Sequence, residues 1–240
     1  MRRYSPGFII GIVGTIIIGF GVLAGIIVGM RSNEGLGYEP PVLQATKTGQ
    51  GTAELDISTF PDSQVCHPDA PNPEIGWVTY CATNPVGAQG TTFEVPPNSL
   101  ITVVIKQYDS ASGLYNDFFN TVQGTVDGTA TYNGKVMSKL NSDDIAHTFD
   151  LQSPPFAEHP LFVSVPLLGV ADDAPNSVTI NGNPYPKPEV ITFQFRTGAS
   201  GTYIWHCYVP CGDDRESPYG FTGPMSTTGY MAGTLTVASY

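Results

Sequence analysis

From Gly7 to Met30 the chain runs 24 positions without a charge, rich in Ile, Val, Gly and Phe, and this run splits it into two physically different parts. A helix crossing a hydrocarbon core needs about 20 such residues. The apolar region of a cleaved signal peptide is shorter, about 7–15 residues, and is followed by a small-residue cleavage site. Gly29-Met30-Arg31-Ser32 does not look like such a site. Residues 1–31 therefore read as one retained N-terminal transmembrane helix. Arg2 and Arg3 precede the run, which favours a cytoplasmic N-terminus in a single-pass protein of the cell membrane, with the main domain extracytoplasmic. Gly21, Gly25 and Gly29 recur every fourth residue and line one helical face, where a second helix can approach closely. That face is expected to dock other transmembrane subunits of a membrane complex.

Charge is distributed just as unevenly. Residues 1–31 hold three arginines and no acid, leaving seven basic against 21 acidic groups, or −14, for the rest. So acidic a surface excludes a nucleic-acid binder, which needs a basic face to neutralise phosphates. Only 13% of residues are charged, while Gly (27) and Pro (21) abound; this excludes a coiled coil and a disordered chain. Residues 32–51, rich in Gly, Pro, Thr and Gln, read as a linker. Residues 52–240 read as one domain enlarged by insertions at about 154–188 and 213–228. Strand-like runs are expected at Thr92–Val95, Leu100–Gln107, Thr148–Leu151, Leu161–Val165, Ser177–Ile180, Val190–Phe195, Gly201–Trp205 and Gly233–Ala238. Ile191, Phe193 and Phe195 alternate with Thr192, Gln194 and Arg196, as a half-buried strand requires. The fold class is all-β: two antiparallel sheets packed as a sandwich, since each sheet must bury one face.

Four cysteines form two sequence pairs. Cys66 and Cys81 flank a Pro-rich loop, and in an outward-facing domain the simplest reading is a disulfide closing it. Cys207 and Cys211 differ, because only Tyr208-Val209-Pro210 separates them at the aromatic end of a strand. His67 and His159 each sit beside a proline in a loop and read as solvated. The acidic pairs Asp143-Asp144, Asp172-Asp173 and Asp213-Asp214 lack the spacing of a calcium loop and read as turns. Trp205 and Tyr208 flank Cys207, either as an electron-entry surface or, more plainly, as core aromatics at a strand end. No G-x-S-x-G elbow, H-E-x-x-H helix or P-loop is present.

Three stretches carry chemistry together. They are the strand from Phe93 through Pro96-Pro97 to Ile105; Ala146-His147-Thr148-Phe149; and Gly201-Thr-Tyr-Ile-Trp-His-Cys207-Tyr-Val-Pro-Cys211-Gly212, followed by Met231-Ala-Gly-Thr-Leu-Thr-Val237. This order resembles the cupredoxin superfamily over roughly Thr91 to Val237, and within it subunit II of the haem–copper oxidases. The resemblance implies a cupredoxin-like Greek-key β-sandwich. It implies copper held by His147, the bridging thiolates of Cys207 and Cys211, the Val209 backbone carbonyl and the Met231 thioether. Soft thiolates delocalise charge between two coppers while imidazole and thioether complete each site.

One position departs from the family pattern. Three residues before the Met, where the family has a second His, this chain has Thr228. His206 does not replace it, because adjacent strand residues point to opposite faces. Met225 is a possible soft substitute. Three arrangements remain open: a Cys207–Cys211 disulfide in a metal-free relative, one copper on His147 with a Met, or a binuclear centre with an irregular ligand. The resemblance implies an electron-transfer or accessory subunit of a respiratory oxidoreductase complex rather than a self-contained enzyme, with a basic electron-carrier protein as a partner suited to the acidic surface. The rival expectation is a metal-free structural or assembly subunit stapled by Cys207–Cys211.

Overall fold

The structure is a computed structural model. It describes residue 7, residues 14–15, 18–25, 42–62, 79–82, 91–114, 116–209, residue 224 and residues 228–240. Cys66, Cys211, Met225, Gly29 and nearly all of the 213–228 insertion lie outside the described residues, as does much of the apolar N-terminal run.

The chain divides into two compact units, Met1–Glu39 and Pro40–Tyr240. In the first, residues 18–25 are helical, so Gly21 and Gly25 lie about one turn apart on one face. A Cβ built on either glycine would meet nothing within 4 Å. Among the described residues no helix is long and apolar enough to cross a membrane.

The second unit is a β-sandwich. Its first strands are β1 (Val42–Gln44), β2 (Thr46–Gly49), β3 (Thr52–Phe60), β4 (Thr79–Ala82), β5 (Thr92–Val95) and β6 (Leu100–Gln107). The middle of the unit supplies β7 (Ala130–Tyr132), β8 (Lys135–Met137), β9 (Ile145–Gln152) and β10 (Phe162–Leu168). Then come β11 (Asn176–Ile180), β12 (Asn183–Pro186), β13 (Glu189–Arg196), β14 (Gly201–His206) and β15 (Ala232–Val237). One sheet runs β1-β5-β15-β14-β9-β10 and the other β2-β3-β6-β13-β7-β8, with β4 added beside β3. β11 and β12 form a separate hairpin.

Period-two alternation builds the core. Along β6, Ile101, Val103 and Ile105 are buried between half-buried neighbours, and along β13 Ile191, Phe193 and Phe195 do the same. From the facing sheet come Phe93, Phe149, Leu151, Trp205 and Leu235, so the two inner faces close on one apolar layer. Trp205 stacks on Phe93 and on Phe149 with ring centroids 5.5 Å apart in both cases.

Two expectations need correction. The sheets are mixed, not antiparallel: β5 runs parallel to both β1 and β15, and β3 runs parallel to β6. Parallel neighbours arise where the chain crosses between sheets instead of turning back on itself. The expected linker at 32–51 contains β1 and β2, which join opposite sheets. Their polar residues fit because both are short and largely exposed. Within 154–188, β10 is paired along its length with β9, so that stretch supplies a strand of the main sheet as well as the separate hairpin.

A close approach ties β14 to β15. Trp205 lies opposite Gly233, and its Nε1–H donates to the Thr91 carbonyl at 2.7 Å. A Cβ at Gly233 would sit 1.9 Å from that carbonyl oxygen and 2.7 Å from the indole nitrogen. Only glycine leaves room there. Gly233→Ala should lower unfolding stability by about 1–3 kcal/mol, read from the urea midpoint of the purified protein.

Candidate metal centre

The β14–β15 ladder does not stop where the strands do. Tyr203 faces Leu235 and Trp205 faces Gly233 on the inner side; one step further, the Cys207 N–H donates to the Met231 carbonyl at 3.0 Å. Residues opposite each other in such a ladder send side chains to the same face. Cys207 and Met231 are thus neighbours at the inner end of the sheet, both fully buried. On the other side of β14, β9 brings His147 to the same end, below Phe149 and Leu151 on the inner face.

The result is a buried donor cluster. His147 Nδ1 lies 3.9 Å from Cys207 Sγ, and the Val209 carbonyl oxygen lies 3.7 Å from that sulfur. The Thr148 backbone N–H also points at the sulfur, at 3.4 Å. His147, Cys207, Val209 and Met231 are all fully buried. These are the predicted ligands that the structure brings together. Cys211 and Met225 fall outside the described residues. Thr228, where the family pattern has its second His, is exposed and bridges Ala232. His206 projects from the opposite face of β14, in register with Asp150.

Asp109, a residue the sequence reading missed, fixes the imidazole. Its Oδ2 lies 2.9 Å from His147 Nε2. Asp109 is itself held: its N–H donates to Gln107 Oε1 at 3.0 Å, its carbonyl accepts from Gln107 Nε2 at 2.7 Å, and its Oδ1 accepts from Ser110 N–H at 2.8 Å. An Nε2–H given to the carboxylate aims Nδ1 at the sulfur, as a metal-binding histidine requires. Nothing in the sequence pointed to this residue, because an acid just past the end of β6 has no spacing relation to His147. Trp205, by contrast, is core and not an entry surface, whereas Tyr208 stacks on Phe119 with centroids 4.7 Å apart. The ring of His159 packs on Gly198, and its carbonyl accepts from Tyr203 Oη.

The electrostatics follow from burial. Taking His147 out of water would by itself lower its pKa. The hydrogen bonds to Asp109 and then to Cys207, with the negative charge of both, outweigh that and raise it to about 9. Asp150, buried on the other face of β9, is pushed up to about 8 by desolvation. The nearby Ser164 and Thr148 hydroxyls only soften that rise.

The donor types suit a soft ion. An imidazole nitrogen at about 2.0 Å and a thiolate at about 2.3 Å from one tetrahedral ion lie about 3.5 Å apart, and the observed separation is 3.9 Å. Thiolate, thioether and imidazole together favour copper over hard cations. Among the described residues no three His, Cys, Asp or Glu side chains gather as a metal site. Any ion here would depend on the Met231 thioether and on donors beyond His147 and Cys207.

No family model matches the chain, and no curated protein matches it. Among solved structures, reduced rusticyanin aligns with 14% identity over 84% of this chain and 87% of that one, at a TM-score of 0.36. Rusticyanin from Thiobacillus ferrooxidans aligns with 14% identity over 81% and 86%, at 0.34. Auracyanin B aligns with 14% identity over 81% and 94%, at 0.31. At such low identities and scores these likenesses carry no weight for what this chain binds.

In the metal-free protein the raised His147 pKa stabilises the fold fully below pH 6.5, and that contribution is lost as pH climbs to about 9. The raised Asp150 pKa acts in the same direction up to about 8. Urea unfolding should therefore show stability falling between pH 6.5 and 9, by up to about 3 kcal/mol from the histidine. The fall should be smaller in His147→Gln.

Proposed function

We propose that this chain is a membrane-anchored, cupredoxin-type electron-transfer protein, serving as a subunit II-like component of a respiratory oxidoreductase complex. The observation that carries the reading is the buried His147 Nδ1 facing Cys207 Sγ at 3.9 Å, with Asp109 holding the other ring nitrogen. A copper ion would be held by His147, Cys207 and Met231. Cys211, Met225 and the Val209 carbonyl are the further donors available to complete one or two sites. Bound there, copper would supply a reversible one-electron couple.

The protein's own groups do the rest. Asp109 keeps the Nε2 proton while Nδ1 gives up its proton on metal binding, because a ligating imidazole must present a lone pair. Phe93, Phe149 and Trp205 pack behind the cluster, so its ligands move little when charge changes. The −14 charge of residues 32–240 suits a basic electron carrier, whose approach should weaken with salt. The anchor would place the domain outside the membrane, with Gly21, Gly25 and Gly29 facing a partner helix.

Copper titration of the full-length protein in detergent, followed by visible absorption, tests the reading. A strong thiolate-to-copper band should appear at one or two equivalents and vanish in Cys207→Ser. Asp109→Asn should keep the band but weaken copper binding about 10–100-fold. No copper uptake, with Cys207 joined to Cys211, would leave the structural-subunit alternative. Separately, removing residues 1–31 should move the protein from the membrane to the soluble fraction of a cell lysate.

A further inference from the structure

The two faces of β9 are chemically opposite. His147, Phe149 and Leu151 point into the core, while Thr148 and Asp150 point outward. The outward face is nonetheless sealed, since Thr148 and Asp150 are both fully buried. In register with Asp150 stand Ser164 on β10 and His206 on β14, so the three form one row across three strands. Directly opposed residues of antiparallel strands bring their Cβ atoms to within about 4.5–5.5 Å. Ser164 is also fully buried, and His206 is half-buried, which leaves the row open to solvent at one end.

Within this row Asp150 Oδ1, Asp150 Oδ2 and Ser164 Oγ have no hydrogen-bond partner. Thr148 Oγ1 accepts from the Tyr208 N–H at 2.7 Å. Among the described residues the one ion pair is His147–Asp109, on a different part of the unit. A buried carboxylate with both oxygens unpaired needs a positive charge beside it or a proton on it. An imidazole in register with it turns that need into a ligand set.

We infer that Asp150, Ser164 and His206 form a second cation site, on the outer face of the sheet, for a borderline divalent ion such as Zn²⁺. Carboxylate, hydroxyl and imidazole donors suit zinc, whereas the thiolate and thioether of the inner face suit copper. One sheet thus separates a soft donor set from a harder one by strand alternation alone. The inference does not depend on copper binding at Cys207.

The test is Zn²⁺ titration of the full-length Cys207→Ser protein in detergent, by calorimetry and by thermal melting. The expected result is a Zn²⁺ equivalent that raises Tm, survives Cys207→Ser and His159→Ala, and weakens at least a hundredfold in Asp150→Asn. His206→Ala, at a half-buried position, should weaken it as strongly without threatening the fold, and Ser164→Ala about tenfold. Zn²⁺ binding that ignores both Asp150→Asn and His206→Ala overturns the site. So does a protein that takes up no Zn²⁺ and melts higher as Asp150→Asn, which would make Asp150 a neutral buried acid.

Discussion

The hydrogen bond from the Cys207 N–H to the Met231 carbonyl is the constraint on which the candidate centre depends. It carries the β14–β15 ladder one residue past its last regular pair and sets a thiol and a thioether side by side. That pairing rests on the step before it, where Trp205 crosses over Gly233 to reach the Thr91 carbonyl. Thr91 contributes again, its Oγ1 accepting the Gly229 N–H at 2.6 Å just ahead of Met231. Gly229 has φ +101°, a backbone state that favours glycine, so the approach to Met231 is fixed from both sides. The sulfur ligands are positioned by backbone and packing, not by a flexible loop.

The imidazole is positioned by a different principle. His147 belongs to a strand buried on both faces, where its ring has no freedom to turn toward water. What aims it is a carboxylate on the segment after β6, locked by Gln107 and Ser110. The elements bearing Asp109 and His147 lie in opposite sheets of the sandwich. Closing the sandwich is therefore what assembles the imidazole with its orienting acid.

Much of the fold was legible in the residues themselves. Alternating Ile, Val and Phe marked β6 and β13, and the motifs around His147, Cys207 and Met231 lie at the ends of the strands they suggested. β3 was overlooked although Ala53, Leu55 and Ile57 alternate, because acids and threonines between them diluted the apolar signal. β1 and β2 were taken for linker for a related reason: short, exposed strands carry almost no burial pattern. Asp150 was passed over because an acid on a strand's outer face is ordinarily solvated, and only the neighbouring structure covers this one.

The sequence by itself determined the all-β class, the division between an apolar N-terminus and an acidic domain, and the order of soft donors along the chain. These are local properties, set by period, composition and spacing. Tertiary structure alone decided which strands run parallel, which carboxylate faces His147, and that Asp150, Ser164 and His206 share a row. Each of those depends on register between segments far apart in the chain. Register is fixed only when both sheets bury their apolar faces together, because a slip of one residue would turn every side chain of a strand to the wrong side.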